Sequence, residues 1–350
     1  NDSYSYNQYG EVTGYRVTDQ SGSREIYNFS LTRDDVGRIL TKTEQVDGGL
    51  VNNFSYSYDT PGRLETASDN EGTASYSFDP NSNRLSRQKG PLVTNSTFNN
   101  RDQLLTAGIF QYTYNANGER DSKTNTSNGE VTRYQFDVFG NLVGVTLPDG
   151  KQIDYVLDGI HRRVGKKVNG VLIEGYVYLD ELRVAARFSV GQTPAFFQIY
   201  QYPNHQNTPE AMAASTGLYR IVVDERGTPK LVIKASDGSV AEKIETDEFG
   251  NVLSDSNPGF FPFKFAGCLY DEDTKLCHFG AREYDPEVGR WLQRDPIDFK
   301  GNDTNLYGYA LNDPINKIDL KGLEAIPFPL PITTPWIGPI ISPIVTLPML

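Results

Sequence analysis

Along most of the chain, apolar and polar residues alternate in short runs that Asp, Asn and Gly interrupt. Side chains on a β-strand point alternately to opposite faces, so this period of two predicts half-buried strands joined by tight turns. The runs share one motif: aromatic, any residue, aromatic, Asp or Asn, two residues, Gly. It is clearest at Tyr4-Ser5-Tyr6-Asn7 with Gly10, Tyr56-Ser57-Tyr58-Asp59 with Gly62, Tyr112-Thr113-Tyr114-Asn115 with Gly118, and Tyr134-Gln135-Phe136-Asp137 with Gly140. Tyr76-Ser77-Phe78-Asp79 carries Ser82 in place of Gly. Asp34 with Gly37, Asp224 with Gly227 and Asp247 with Gly250 keep the turn and vary the aromatics; Asn99, Asp158 and Asp180 mark degenerate copies.

The motif has a physical reading. Two rings two residues apart share a strand face. The Asp or Asn opens the turn by accepting a hydrogen bond from the backbone two residues on. Gly, three positions later, supplies the positive φ that closes it. Successive Asp/Asn positions from Asn7 to Asp180 lie 16 to 27 residues apart, which fits one hairpin of two ~5–6-residue strands per repeat. A lone hairpin cannot bury its face, so neighbours must join in one sheet. The expected fold is all-β, with antiparallel hairpin repeats forming part of a large spiralling hollow shell. Both sheet faces are expected to be partly wet, because Val, Ile and Leu are too few for a closed sandwich.

Composition sharpens this picture. Hydrophobic residues make up 37 % of the 350 residues and aromatics 12 %, with 21 Tyr, 18 Phe, 32 Gly and 20 Pro; Tyr packs its ring and keeps its hydroxyl hydrated. The net charge of −12 repels phosphate, and no Lys/Arg cluster forms a nucleic-acid footprint. Two cysteines exclude a disulfide framework, and His161, His205 and His278 are not at ligand spacing, so neither a metal nor a cofactor is expected. Gly144 to Lys151 and Gly159 to Lys166 have five residues between their glycines and no Ser/Thr after the Lys, so neither is a phosphate-binding loop. The chain starts at Asn1 with no signal peptide and reads as cut from a longer protein.

The repeat resembles the YD repeat of bacterial Rhs proteins, the C component of insecticidal Tc toxins and the teneurins. A second stretch carries the resemblance further: Phe265-Ala266-Gly267, Leu269-Tyr270-Asp271, Ala281-Arg282-Glu283-Tyr284-Asp285-Pro286, Gly289-Arg290-Trp291, Arg294-Asp295-Pro296-Ile297, Asn305-Leu306-Tyr307-Gly308-Tyr309, Asn312-Asp313-Pro314 and Asp319-Leu320-Lys321-Gly322-Leu323. It looks like the Rhs repeat-associated core. The division expected is a YD-repeat segment over 1–262 with an irregular insert at about 181–218, the core over 263–323, and a Pro-rich apolar tail over 324–350 that begins the cargo region. Within the insert, Ala195-Phe196-Phe197 and Tyr200-Gln201-Tyr202-Pro203 read as strands, and Glu210 to Ser215 as one short helix or loop.

The resemblance implies that the core curls inward as a plug and that the shell holds a C-terminal toxin in cis until a capping or delivery component of a secretion system acts on it. The protein would then be secreted or displayed at a cell surface. It also implies self-cleavage after a Gly-Leu pair, which by position is the Leu323–Glu324 bond. The reaction would be an aspartic, single-turnover one with Asp295 and Asp319 as the carboxyl pair, and Arg294 holding a carboxylate ionised or stabilising the oxyanion. Two positions depart from the family pattern: Asp298 stands where Gly is usual and Leu320 where Pro is usual. A changed turn would misplace the bond. The bland alternative is that these residues only cap turns.

A turn-like run, Asp271-Glu272-Asp273-Thr274, separates Cys268 from Cys277. A hairpin centred there sets the cysteines directly opposite one another, within reach of a cross-strand disulfide; two free buried thiols are the other reading. The tail has seven prolines between Glu324 and Leu350. That excludes a spanning helix and suggests extended chain lying inside the shell or along its inner wall. Two other functions compete: an extracellular adhesion or recognition module of teneurin-like type without cleavage, and a carbohydrate-active β protein, for which no carboxylate pair is fixed by the residues.

Overall fold

A computed structural model describes residues 1–19, 21–191, 196–202 and 207–327. Twenty-four strands, from Asp2–Tyr6 to Val252–Asp255, form one antiparallel sheet, and each strand pairs with the next along the chain.

The motif works as its chemistry predicts. Asp34 Oδ1 accepts the Val36 N–H at 3.1 Å and Asp137 Oδ1 that of Phe139 at 2.9 Å. Gly62 has φ of 91° and donates to the Asp59 carbonyl at 2.9 Å. Where Gly is missing, Ser82, Asp102 and His161 take the left-handed conformation instead, at φ of 64°, 59° and 69°.

A bulge accompanies these turns. Beside Asp59, Ser57 pairs with Thr66 and Tyr58 with Leu64, which leaves Glu65 unopposed. The same shift recurs before Asn7, Asp34, Asp79, Asn115 and Asp137. A bulge raises local twist and bends its strand, so a bulge per repeat curls the sheet.

The residue four after the Asp/Asn is chemically matched to it. Asp59 pairs with Arg63 at 2.7 Å and Asp137 with Asn141 at 2.9 Å. Asn115 donates to Glu119 at 2.6 Å, and Asn99 to Gln103 at 2.7 Å. An acceptor opens the turn when a donor closes it, and the reverse. Asn115→Asp should therefore set two carboxylates together at a half-buried turn and cost about 1 kcal/mol. Adding Glu119→Gln should restore most of it, as read by thermal unfolding.

The two sheet faces differ sharply. The outer face carries cross-strand hydroxyl pairs, among them Ser30 with Thr43, Thr32 with Thr41, Ser77 with Ser86 and Thr97 with Thr106, at 2.6 to 2.7 Å. The inner face carries Tyr15, Tyr27, Tyr76, Tyr112, Tyr134, Tyr155, Tyr176, Tyr200 and Tyr219, all buried. The sheet overlaps itself: Val12, Tyr15, Phe29 and Leu31 of two early strands share a core with Val222, Leu231 and Ile233, which lie on the opposite face of two late strands from Tyr219. Asp2–Arg220 at 2.6 Å and Lys42–Glu225 at 2.7 Å bridge the same seam. No backbone pairing joins the first strand to the last among the described residues, so the wrap is held by side chains there.

The described residues form no closed shell. The inner face packs on the segment after the sheet, which forms a four-stranded sheet (Leu269–Tyr270, Cys277–Phe279, Arg282–Asp285, Arg290–Trp291) and a two-stranded one (Lys317–Ile318, Ile326–Pro327). Phe265, Phe279, Tyr284, Trp291 and Tyr309 are its aromatic centre. Charged pairs fasten it to the wall: Arg120–Asp285 at 2.5 Å, Arg163–Glu283 at 2.7 Å and Lys166–Asp271 at 2.9 Å. The expectation that both faces are wet therefore fails for the inner one, because this segment covers it. A second correction concerns Glu210 to Ser215: Ala211–Ala214 is a strand, paired on one side with Phe197–Gln201 and on the other with Gly217–Val223. Two waiting edges outweigh the helix propensity of the Ala-rich run. Of the strand expectations beside it, Ala195 and Pro203 lie outside the described residues, as does the tail beyond Pro327.

Candidate active site

The Leu323–Glu324 bond lies in the loop of a small hairpin. Lys317 pairs with Pro327 and Ile318 with Ile326, so residues 319–325 are looped out between the strands. Asp319 organises that loop: its Oδ1 accepts the Leu323 N–H at 2.9 Å and the Glu324 N–H, the nitrogen of the bond in question, at 3.2 Å. Gly322 has φ of 67°, and a Cβ there would stand 2.6 Å from the Phe279 carbonyl oxygen. Only Gly fits so close to backbone in that conformation.

Asp295 comes to the same place from 24 residues upstream. Arg282 Nη2 lies 2.9 Å from Asp295 Oδ2 and 3.0 Å from Asp319 Oδ2. Arg282 Nε also donates to the Gly322 carbonyl at 2.6 Å, and its guanidinium stacks 4.3 Å from the Trp291 ring centre. Gly301 fills the gap between Asp295 and the bond: a Cβ on it would be 2.5 Å from the Leu323 carbonyl oxygen and 2.9 Å from Asp295 Oδ2. A cavity of about 10 Å³ is lined by Arg282, Asp295, Gly301, Asp303, Asp319, Leu323 and Glu324, among others, which is near the lower limit for one water molecule.

Burial raises the pKa of Asp295 above the usual carboxylate range; Arg282 opposes the rise and the neighbouring Asp319 and Asp298 add to it. Burial likewise raises Asp303. Two carboxyls around one guanidinium hold more negative than positive charge when both ionise, so a retained proton is favoured.

Sequence reasoning brought Asp295, Asp319, Leu323 and Glu324 to one site and misplaced Arg294. Arg294 is half-exposed and pairs with Asp298 at 2.7 Å, while Arg282 holds the carboxyls. Arg282 lies in the same core stretch, but nothing in its spacing separates it from an ordinary strand residue. The two departures are accommodated locally. Asp298 adopts φ of 52°, a conformation Asp tolerates better than most residues, and Leu320 offers its carbonyl to Asn207 at 3.4 Å.

Cys268 and Cys277 are both free and buried. The hairpin between them has a register two residues away from the expected one: Tyr270 faces Cys277 and Leu269 faces His278. The cysteines are therefore diagonal, not opposite. Burial pushes the Cys277 thiol pKa up, with the hydrogen-bonded Cys268 adding to it, so Cys277 is not a reactive thiolate by environment.

The teneurin YD-shell family matches residues 1–315. This chain belongs to that family. Teneurin-3 of Danio rerio is 30 % identical over 312 residues, which cover 84 % of this chain and 11 % of that protein. Teneurin-1 of Homo sapiens is 29 % identical over 312 residues, covering 83 % and 11 %. The chain thus spans 11 % of the length of these teneurins. Among solved structures, TcdB2-TccC3 without its hypervariable C-terminal region superposes with a TM-score of 0.61 at 15 % identity, covering 92 % of this chain and 18 % of that one. The Photorhabdus luminescens Tc holotoxin pore gives 0.61 at 16 % identity, covering 93 % and 18 %. Those two likenesses establish a shared fold. The teneurin YD-shell match ends at residue 315, ahead of Asp319 and the bond it holds. No helix among the described residues is long and apolar enough to cross a membrane.

Proposed function

We propose that this YD-shell chain cuts its own backbone once, between Leu323 and Glu324, and that the shell to which it contributes encloses the polypeptide beyond the cut. The observation that carries this reading is the convergence of Asp295, Asp319 and Arg282 on a single looped-out peptide bond.

The roles follow from position. A water in the small cavity adds to the Leu323 carbonyl carbon. Asp295, whose raised pKa favours the protonated form, stands across Gly301 from the Leu323 oxygen and supplies a proton as charge develops there. Asp319 accepts the water's proton and passes it to the Glu324 nitrogen, which it already contacts. As the C–N bond breaks and the carbonyl re-forms, the proton lent by Asp295 returns to that residue, leaving a Leu323 carboxyl and a Glu324 amine. Arg282 keeps both carboxyls in place throughout and orients the Gly322 carbonyl.

In this reading the cargo is a toxin or another C-terminal polypeptide in cis, the remaining wall comes from the rest of the shell or a capping partner, and the protein works outside the cell that makes it. Its own concave face is filled, so enclosure falls to the larger shell. The teneurin identity favours a second reading, an extracellular recognition module that never cuts. Denaturing electrophoresis with intact-mass measurement on the full chain separates the two. The cleavage reading expects a fragment ending at Leu323; a single uncut chain after prolonged incubation supports the recognition module.

A further inference from the structure

One buried charge cluster plays no part in that site. Lys264 lies just after the last sheet strand, between Phe263 and Phe265, and its side chain is wholly inaccessible. Its Nζ is 2.5 Å from Asp255 Oδ2 and 2.7 Å from Glu242 Oε1. Asp255 ends the strand Val252–Asp255 and pairs with Ile244, so Glu242, two residues away on the neighbouring strand Val240–Thr246, shares its face. Glu242 is also wholly inaccessible and accepts the Phe261 N–H at 3.0 Å. Asp255 keeps its other oxygen on the Asn257 N–H at 2.9 Å.

We propose that Lys264 and Asp255 condense into an intramolecular isopeptide bond, with Glu242 as the proton carrier. The reaction needs no co-reactant. A proton passes from the ammonium to the carboxyl pair, leaving a neutral amine. The Nζ lone pair attacks Asp255 Cγ, Glu242 takes the surplus proton from nitrogen and returns it to the departing hydroxyl, and water leaves. One C–N bond forms and one C–O bond breaks.

Contact and paired carboxyls are shared with Lys42 and Lys166; complete burial of Lys264 and Glu242 and the protonation of the carboxyl pair set this site apart. The amine and the carboxyl are within hydrogen-bonding contact, which places the reacting atoms at near-attack range. Two carboxyls face one ammonium, so the cluster must hold a proton or bear net buried charge. Burial, with Asp255 adding to it and Lys264 opposing it, pushes the Glu242 pKa up to about 8, suited to shuttling near neutrality. Lys42, by contrast, sits between Glu44 and Glu225 with Lys230 also at hand; there the lysines hold Glu44 well below its ordinary range despite burial, and the ion pair is the stable form. Lys166 similarly faces an Asp271 held low by that lysine, again against burial. The bond would tie the last strand of the wall to the first residues of the segment that fills it.

Intact-mass measurement of the purified chain tests this directly. The piece that carries residues 242–264, whether the whole chain or a fragment ending at Leu323, should weigh one water less than its sequence mass, and a tryptic digest should yield Ile244–Lys275 as one piece with cleavage blocked at Lys264. Lys264→Arg and Glu242→Gln should each restore the full mass. No water missing from that wild-type piece, or a water loss that maps to an Asp-Gly turn such as Asp149-Gly150 while Lys264 is cut normally, overturns the proposal without reference to either variant's folding.

Discussion

Asp295→Asn and Asp319→Asn should each leave the chain in one piece, with self-cleavage slowed by about 10²–10⁴-fold, the range over which a positioned acid or base acts. Both changes keep shape and remove the ability to exchange a proton. In Asp319→Asn the new amide can still offer an oxygen to the Leu323 and Glu324 N–H groups that Asp319 holds, so the loop should survive. Gly301→Ala is the geometric counterpart. It leaves every carboxyl intact and drives a methyl into the space between Asp295 and the Leu323 carbonyl, and it too should block the cut. Denaturing gels of the three variants beside the wild type, with circular dichroism to establish folding, read the result. Cleavage at the same bond at wild-type rate in both Asn variants would remove Asp295 and Asp319 from the mechanism.

The second large effect concerns how the filled interior is held. Arg120→Met should lower the unfolding free energy by about 3 kcal/mol, because it takes the contacting cation from buried Asp285 and leaves only the more distant Lys123. Arg120 is fully buried, ion-paired to Asp285 at 2.5 Å, and stacked 4.7 Å from the Tyr112 ring centre. Acid should imitate the mutation. Burial alone would raise Asp285, Glu283 and Asp271, yet the cations Arg120, Arg163 and Lys166 hold all three below their ordinary pKa values. A depressed folded-state pKa contributes stability that is present above the unfolded value, near 4, and lost as pH falls through the folded one. Chemical denaturation at pH 7 and at successively lower pH below about 4 should show wild-type stability falling toward that of Arg120→Met. The Asp285 part of that fall should shrink in the variant, where only Lys123 still lowers that carboxyl.

Much of the wall was legible from local chemistry. An Asp or Asn that accepts from the backbone two residues on, and a Gly at positive φ, are short-range requirements, and a short motif records them. The bulges were not legible, because an unopposed residue such as Glu65 looks like any other strand residue until its partner strand is known. An inward-curling core was expected from the resemblance, but not that it would cover the wall's inner face through buried charges. Charges such as Arg120, Arg163 and Lys166 look like solvent-facing positions in an alternating strand, and only their distant partners Asp285, Glu283 and Asp271 make burial tolerable. At the site, Asp295 and Asp319 came from motif position. Arg282 and Gly301 did not, since their roles rest on contacts with Asp319 and Leu323 that no sequence spacing expresses. For the same reason the cysteine register slipped: Tyr270 rather than Cys268 faces Cys277 because the connection at Asp271–Leu276 is asymmetric about the expected centre.

The pairing of Lys317–Ile318 with Ile326–Pro327 spans the Leu323–Glu324 bond, so the proposed cut would leave both new ends in register. Severing the backbone and parting the two pieces are thus distinct events, the first governed by proton chemistry and the second by the rupture of a short ladder and the apolar contacts around Ile318 and Ile326. A nicked molecule run under native conditions should migrate as though whole until some force or solvent change peels that ladder open.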